Sequence, residues 1–312
     1  VNEKNLKSMR CWVVSEGMAG TENQCIAVAE AMGVQPEIKR ISLRQPWKSF
    51  SPFLGLEQSY TFTPALTSPW PDLVLASGRK AIAAARYIKK ASGGQSFTVQ
   101  IQDPRIDPKN FDLVAVPHHD PTRGENVVVT DAAPNRITQE KLDSAIEAFP
   151  HLKALPSPRI AVLIGGTSKA YTMSAAVTEK LAQQLQGLDG SLMITPSRRT
   201  GAENEAILKK VLPDAYIWNG GGENPYFAML ALADFILVTA DSASMISDAC
   251  SSGKPTYMIA LEGGHPRIDK LHKHLIDSGV LRVFDGKLTP YNYTPLKDAQ
   301  KIADAIIERL KT

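Results

Sequence analysis

The sequence predicts an α/β protein of two domains, each a parallel sheet covered by helices. Three observations carry that prediction. The chain has 312 residues, twice a common single-domain length. Short apolar runs alternate with helical windows almost from end to end, the pattern of βαβ units. The strongest runs, Val162-Leu163-Ile164 and Phe235-Ile236-Leu237-Val238, are apolar at every position, as strands buried on both faces are.

Taken in order, the first series of candidate strands is 11–14, 37–43, 72–76, 97–101, 113–116 and 126–129. Each is rich in Val, Ile, Leu or aromatic residues and bounded by Gly, Pro, Asp or Asn. A second series is 159–164, 191–195, 215–218, 235–239, 255–259 and 281–284. Helical windows at 22–32, 78–91, 173–185, 202–212 and 242–251 separate many of them. Pro150, Pro156 and Pro158 punctuate the middle of the chain, and proline turns its preceding residue away from helix. An extended linker is therefore expected at 151–158, between a first domain at 1–150 and a second at 158–295. The window 296–312 places Ala299, Ile302, Ala303, Ile306 and Leu310 on one stripe. It is expected to be an amphipathic helix that packs back across the first domain.

Composition excludes several classes. Lys plus Arg number 35 against 32 Asp plus Glu, a net charge of +3. Residues 1–150 hold 17 basic and 16 acidic residues and the remainder 18 and 16, so no nucleic-acid partner is expected. Cys11, Cys25 and Cys250 are too few and too scattered for a disulfide framework or a CxxC metal site. The apolar stretch 226–240 is interrupted by Asp234 and falls short of the ~20 residues of a spanning helix. The first ten residues lack the apolar core of a signal peptide. The expected location is the cytoplasm, with the periphery of the inner membrane as the alternative.

Candidate chemistry lies where strands end, the place open α/β sheets bind ligands. After the first strand comes Glu16-Gly17-Met18-Ala19-Gly20-Thr21, where Gly17 and Gly20 allow close backbone approach. Thr21 and Gln24 have the spacing of a capping box. Neither GxGxxG nor GxxxxGK[ST] is present, so dinucleotide-dependent redox chemistry and P-loop hydrolysis have no support. In the second domain, Gly165-Gly166-Thr167-Ser168 could surround a phosphate with backbone amides. Ser197-Arg198-Arg199 precedes a second capping-box spacing, Thr200 to Glu203, and arginine recognises phosphate with a planar fork. Asp241-Ser242-Ala243-Ser244-Met245 opens a helix whose N–H groups and dipole favour an anion. Asp248, a turn further in, could accept from a sugar or ribose diol, and Asp241 is expected to cap amides or meet a ligand hydroxyl. In the first domain Gln102-Asp103 and His118-His119-Asp120 follow strands. A carboxylate next to His119 could orient a proton relay, whereas adjacent residues seldom share a metal ion, and no metal site is expected. His265, His272 and His274 lie in a polar helical stretch and are expected to be solvated. Trp47, Phe50, Phe53 and Leu54 form a segment suited to covering a cleft, touching a lipid acceptor or meeting a protein partner.

The sequence resembles bacterial relatives of the mitochondrial fission factor family of the elongated-mitochondria type. The resemblance rests on WVVSEGMAGTENQ (12–24), PDLVLASGR (71–79), QIQDPR (100–105), FDLVAVPHHD (111–120), VLIGGTSKAY (162–171), ITPSRRT (194–200), ENPYFAMLALAD (223–234) and TADSASMISDACSSGKPTYM (239–258). The family more usually has Asp where Glu16 stands and His where Thr21 stands. The resemblance implies two facing Rossmann-like domains, similar to GT-B glycosyltransferases and UDP-GlcNAc 2-epimerases, with a nucleoside-diphosphate sugar as substrate in the interdomain cleft. No cofactor is implied. Carried over, Gly165, Gly166, Thr167, Ser197, Arg198, Arg199, Asn224, Asp241, Ser242, Ser244, Met245 and Asp248 would hold the donor. Gly17, Gly20, Gln24, Gln102 and Asp103 would face an unknown acceptor, with Glu16, His119 and Asp120 as acid/base candidates. A metal-independent glycosyltransferase is the leading expectation. The alternatives are a nucleotide-sugar epimerase, a nucleotide-sugar sensor and a non-catalytic adaptor that recruits a protein.

Overall fold

The computed structural model describes residue 6 and residues 8–311, so most of the reading of the first ten residues lies outside the described residues. The chain forms two compact units, one of residues 1–136 and 297–312 and one of residues 137–296.

The first unit is built on β1 (Cys11–Ser15), β2 (Pro36–Arg40), β5 (Leu73–Ser77), β6 (Phe97–Ile101), β7 (Leu113–Pro117) and β8 (Val127–Thr130). They form one parallel sheet in the order β2-β1-β5-β6-β7-β8. The alternation along β1 sends Cys11 and Val13 to one face and Trp12 and Val14 to the other, and both faces are buried. On the first face α1 (Ala19–Ala31) and the C-terminal helix (Asp298–Leu310) cover the sheet, with Val28, Ile302 and Ile306 fully buried. On the second lies α3 (Ala81–Ala91), through Ile82, Ala85 and Ile88. The C-terminal helix is fastened at its start: Asp298 accepts from the amides of Asp131 and Ala132, both at 2.9 Å. The expected strand 37–43 is interrupted, because after β2 the chain turns so that β3 (Ser42–Leu43) pairs antiparallel with β4 (Phe62–Thr63). Between β3 and β4 stands the single turn α2 (Trp47–Phe50).

The second unit holds β9 (Arg159–Ile164), β11 (Ser191–Pro196), β12 (Tyr216–Ile217), β13 (Phe235–Thr239), β14 (Thr256–Ile259) and β16 (Leu281–Val283). Their order, β12-β11-β9-β13-β14-β16, is that of a Rossmann sheet, and all pairs are parallel. One face is covered by α6 (Ala175–Gln186), whose Leu181 and Leu185 join Ile160, Val162 and Ile164 of β9 in the core. A small antiparallel pair, β10 (Tyr171–Thr172) with β15 (Glu262–Gly263), lies beyond the carboxyl end of the sheet.

The division between units falls after Arg136, ahead of the expected linker. The reason is packing: α4 (Gln139–Ala148) and α5 (Pro150–Lys153) rest on α8 (Tyr226–Leu232) of the second unit. Pro150 occupies the first turn of α5, where its missing N–H costs nothing. The prolines thus start a helix and lead into β9 where a linker was expected. Among the described residues no helix is long and apolar enough to cross a membrane.

Candidate functional site

In each sheet the connections reverse direction at one place, between β1 and β5 in the first unit and between β9 and β13 in the second. The crevice at the carboxyl end of such a switch point is where open α/β sheets take ligands.

In the second unit two loops meet there. The Gly165-Gly166-Thr167-Ser168 turn follows β9, and its amides are all engaged. Gly165 N–H donates to Thr239 Oγ1 (2.8 Å), Gly166 to Asp241 Oδ2 (3.1 Å), Thr167 to the Arg199 carbonyl (3.1 Å) and Ser168 to the Tyr171 carbonyl (2.8 Å). The expected phosphate cradle of free amides is therefore absent from this turn. Its glycines serve the protein's own packing. A Cβ on Gly165 would collide with the Asp241 carboxylate, and one on Gly166, at φ +131°, would collide with the Arg199 carbonyl. The expected capping box at Thr200 is also absent. α7 (Ala202–Val211) starts from Gly201 at φ +81°, while buried Thr200 donates to the Gly165 carbonyl (2.9 Å) and accepts from Ser197 N–H (2.9 Å). Ser197 donates to the same carbonyl.

The two arginines separate in role. Arg199 Nη2 lies 2.8 Å from Asp241 Oδ2, an ion pair in which the Asp241 side chain is wholly buried. Asp241 Oδ1 has no partner among the described residues. Arg198, next door, is exposed and makes no ion pair among the described residues. The expectation that Asp241 caps amides holds for Gly166.

α9 (Ala243–Ser251) begins just past Asp241, with Ser242 as its cap. The Ser242 hydroxyl accepts from Met245 N–H at 3.4 Å and its carbonyl from Ile246 N–H at 3.0 Å. The amides of Ala243 and Ser244 have no acceptor among the described residues, and Ser244 is exposed beside them. Asp248, one turn on, is half-buried and accepts from Tyr226 O–H at 2.9 Å. Burial raises its carboxyl to about 6, against the lowering effect of the tyrosine bond. Asn224 Oδ1 accepts from Tyr226 N–H (3.0 Å) and so shapes the turn that delivers this tyrosine. A tyrosine as partner to Asp248 was not read from the sequence, since its separation of 22 residues carries no local signal. Equally unforeseen is the state of His272, which was expected to be solvated. It lies on the buried stripe of α10 (Pro266–Asp277) with Leu271 and Leu275. Burial lowers its pKa, opposed by Asp269 and by a bond to the Ala240 carbonyl. Asp269 in turn accepts from Tyr171 O–H at 3.3 Å.

In the first unit, Glu16 is partly buried and its carboxylate lies 2.7 Å from Lys80 Nζ at the start of α3. Gly17 takes φ +84° and donates to Ser15 Oγ at 3.0 Å. Gly20 stands inside α1, and a Cβ there would touch nothing within 4 Å, so no close approach requires it. The Thr21–Gln24 capping box does not form because the helix starts three residues earlier, capped at Met18: Thr21 donates back to the Met18 carbonyl (3.0 Å), and buried Gln24 accepts from Gln102 Nε2 (3.1 Å). Asp103 Oδ1 accepts from Arg105 N–H and Thr122 O–H, at 2.9 and 2.8 Å. His119 Nε2 and Asp120 Oδ1 are 3.9 Å apart and both largely buried. The sequence reading missed Glu22, whose buried carboxylate accepts from Ser15 (2.8 Å) and from both arms of the Arg40 fork (3.0 and 2.8 Å). The arginine bond holds its carboxyl below the ordinary value although burial opposes it. This knot ties β1, α1 and β2 at the strand ends. Among the described residues, no three His, Cys, Asp or Glu side chains are placed to hold a metal ion together.

Two Rossmann-like units with parallel six-stranded sheets define a GT-B-like architecture. MurG of Acinetobacter baumannii has this fold: TM-score 0.53, 14% identity, 97% of this chain and 91% of that one covered. The glycotransferase of kitacinnamycin gives 0.52 at 14% identity, covering 97% and 91%. By sequence, the chain belongs to the mitochondrial fission ELM1 family, whose model matches residues 19–310. It is 33% identical over 274 residues to the mitochondrial fission protein ELM1 of Arabidopsis thaliana, covering 77% of this chain and 64% of that one. It thus spans less than two thirds of the plant protein's length. An uncharacterised protein of Rickettsia prowazekii, RP120, is 26% identical over 357 residues, 97% of this chain and 99% of its own.

Proposed function

We propose that this chain binds a nucleoside-diphosphate sugar through its second unit and transfers the sugar as a GT-B-type glycosyltransferase. The observation that carries the reading is the start of α9. At the switch point of a Rossmann sheet, a nine-residue helix presents the unengaged amides of Ala243 and Ser244 beside the exposed Ser244 hydroxyl. Exposed Arg198 stands on the adjoining loop, next to Arg199, which is tied to Asp241. Amides, helix dipole and one uncommitted guanidinium suit a diphosphate and would neutralise it as a leaving group. Asp248, a turn deeper, is the acceptor for a ribose diol, with the Tyr226 hydroxyl holding its carboxylate in place. The Gly-Gly turn is the wall of this site and contributes no amides to the phosphate. In the first unit, Glu16 is the base candidate, since its carboxylate is partly exposed at a strand end while Asp120 is buried.

Calorimetric titration with UDP, GDP, CDP, ADP and their sugar conjugates tests the binding. Saturable binding that Arg198→Ala weakens by about 1.5–3 kcal/mol, the worth of a charged hydrogen bond, supports the reading. Binding without turnover of any sugar conjugate would favour a sensor or adaptor, the role consistent with the fission-protein relatives.

A further inference from the structure

Five of the eight large apolar side chains exposed on the described surface fall in one short stretch of the first unit: Phe50, Phe53, Leu54, Leu56 and Tyr60. Leu56 is 77% exposed and Phe53 68%. Solvated loops do not ordinarily concentrate such residues. Nor is this a loosely held strand of chain that could fold them away. Trp47 Nε1 donates to the Gly55 carbonyl at 2.7 Å and its ring stands edge-on to Tyr60, centroids 5.8 Å apart. Ser51 and Pro52 are buried beneath, and Arg79 donates to the carbonyls of Ser49 and Ser51. Leu56 itself takes φ +57°, a strained conformation for a bulky residue, and one that keeps its side chain in water. The platform is built, and its apolar tips point outward.

The exposed charge within this stretch has one sign. Between residues 41 and 71 the only acid is Glu57, which is buried and bonded to Arg86. The exposed charged residues of the stretch 42–64 are Arg44 and Lys48. A protein partner would normally be met by a polar rim, whereas aromatic and aliphatic tips accompanied in the same stretch by exposed cations and no exposed acid match the headgroup zone of an anionic bilayer. We propose that residues 44–60 dock the chain on an anionic lipid surface, with Phe50, Phe53 and Leu56 entering the headgroup–acyl boundary and Arg44 and Lys48 meeting lipid phosphates. This surface belongs to the first unit and shares no residue with the α9 site of the second, and the proposal does not rest on nucleotide binding.

The test is flotation of the full chain with vesicles of phosphatidylcholine alone and of phosphatidylcholine with phosphatidylglycerol, about three to one, at about 0.1 M salt. The expected result is partition onto the mixed vesicles at least about tenfold stronger than onto phosphatidylcholine, falling as salt is raised. The triple variant Phe50→Ser/Phe53→Ser/Leu56→Ser changes only exposed side chains and should lose the partition while keeping the wild-type melting temperature. Arg44→Gln/Lys48→Gln should reduce the preference for anionic vesicles by about fivefold per cation. Equal flotation of wild type and triple variant would overturn the proposal. So would absence of wild-type flotation, whether or not a concentration-dependent dimer that the triple variant abolishes shows the face to serve a second copy. Nucleotide titration of the triple variant separates the two readings: its affinity is expected to be that of the wild type, whatever the vesicles show.

Discussion

Replacing Asp248 by Asn should make the second unit more stable at neutral pH and less able to hold a nucleoside. The carboxyl is raised from 3.8 to about 6 by burial, even though Tyr226 donates to it. A folded-state pKa above the unfolded value means the folded chain keeps a proton that the unfolded chain has released. Below about pH 4 both states are protonated and no penalty exists. Between about pH 4 and 6 stability falls as pH rises, and above about 6 the penalty is constant. That displacement corresponds to about 3 kcal/mol. The substituted amide would still accept from Tyr226 O–H but carries no charge, so the variant should gain up to ~3 kcal/mol over wild type at about pH 7–8 and nothing at about pH 4. Urea unfolding of both proteins in half-unit steps from about pH 4 to 8 measures this difference directly. The same ionised carboxylate is the one suited to two ribose hydroxyls, so wild-type nucleotide affinity should rise as pH passes about 6, and the variant should lose both the affinity and that pH dependence. A stability difference that is flat across the range would refute the reasoning, since Asp248 would then not titrate there.

Other outcomes follow from the same geometry. Arg199→Ala should lower stability by about 1.5–3 kcal/mol, because it strips the partner from the buried Asp241 carboxylate, whereas Arg198→Ala should leave the melting temperature within a degree or so of wild type; thermal unfolding separates them. Gly166→Ala drives a methyl into the Arg199 carbonyl at a backbone angle unsuited to alanine and should cost a few kcal/mol, read by the same melts. Glu22→Gln should destabilise the first unit by about 1–3 kcal/mol at about pH 7 and make the loss disappear on acidification, as the pKa depressed by Arg40 requires: the stabilisation is present above the unfolded value and vanishes as pH falls through the lower folded one. Glu16→Gln should lower turnover of a cognate nucleotide sugar by about 10²–10⁴-fold with donor affinity intact, and normal turnover combined with an inactive Asp120→Asn would move the base to Asp120.

Much of the architecture was legible because its strands are buried on both faces and therefore read as uninterrupted apolar runs. The exceptions have physical causes. α8 and β13 merge into one apolar stretch with only Ala233-Asp234 between them, so periodicity could not separate a buried helix from the strand that follows. The boundary between units was hidden because the prolines near 150–158 also suit a helix start. At the candidate site, the positions at strand ends were legible from pattern, but their use was not. Gly165 and Gly166 looked like a phosphate turn, and only the fold shows that Asp241 and Arg199 occupy the space a side chain would need. Both capping boxes failed because helix starts were set elsewhere, at Met18 and Gly201, leaving Thr21 and Thr200 to bond to other carbonyls. The Ser15–Glu22–Arg40 knot and the Tyr226–Asp248 pair join residues distant in sequence, where no local spacing could announce them.

The start of α9 is the proposed diphosphate site. Its most direct test is calorimetric titration of the wild type and of Arg198→Ala and Ser244→Pro with the full panel of nucleoside diphosphates and their sugars. Proline at Ser244 removes one of the two unengaged amides at a first-turn position that tolerates it. One preferred base should be bound saturably below millimolar concentration, with each variant weakened by about 1.5–3 kcal/mol and its melting temperature unchanged. Absence of binding by the wild type at millimolar concentration, or binding that neither variant alters, would contradict this assignment.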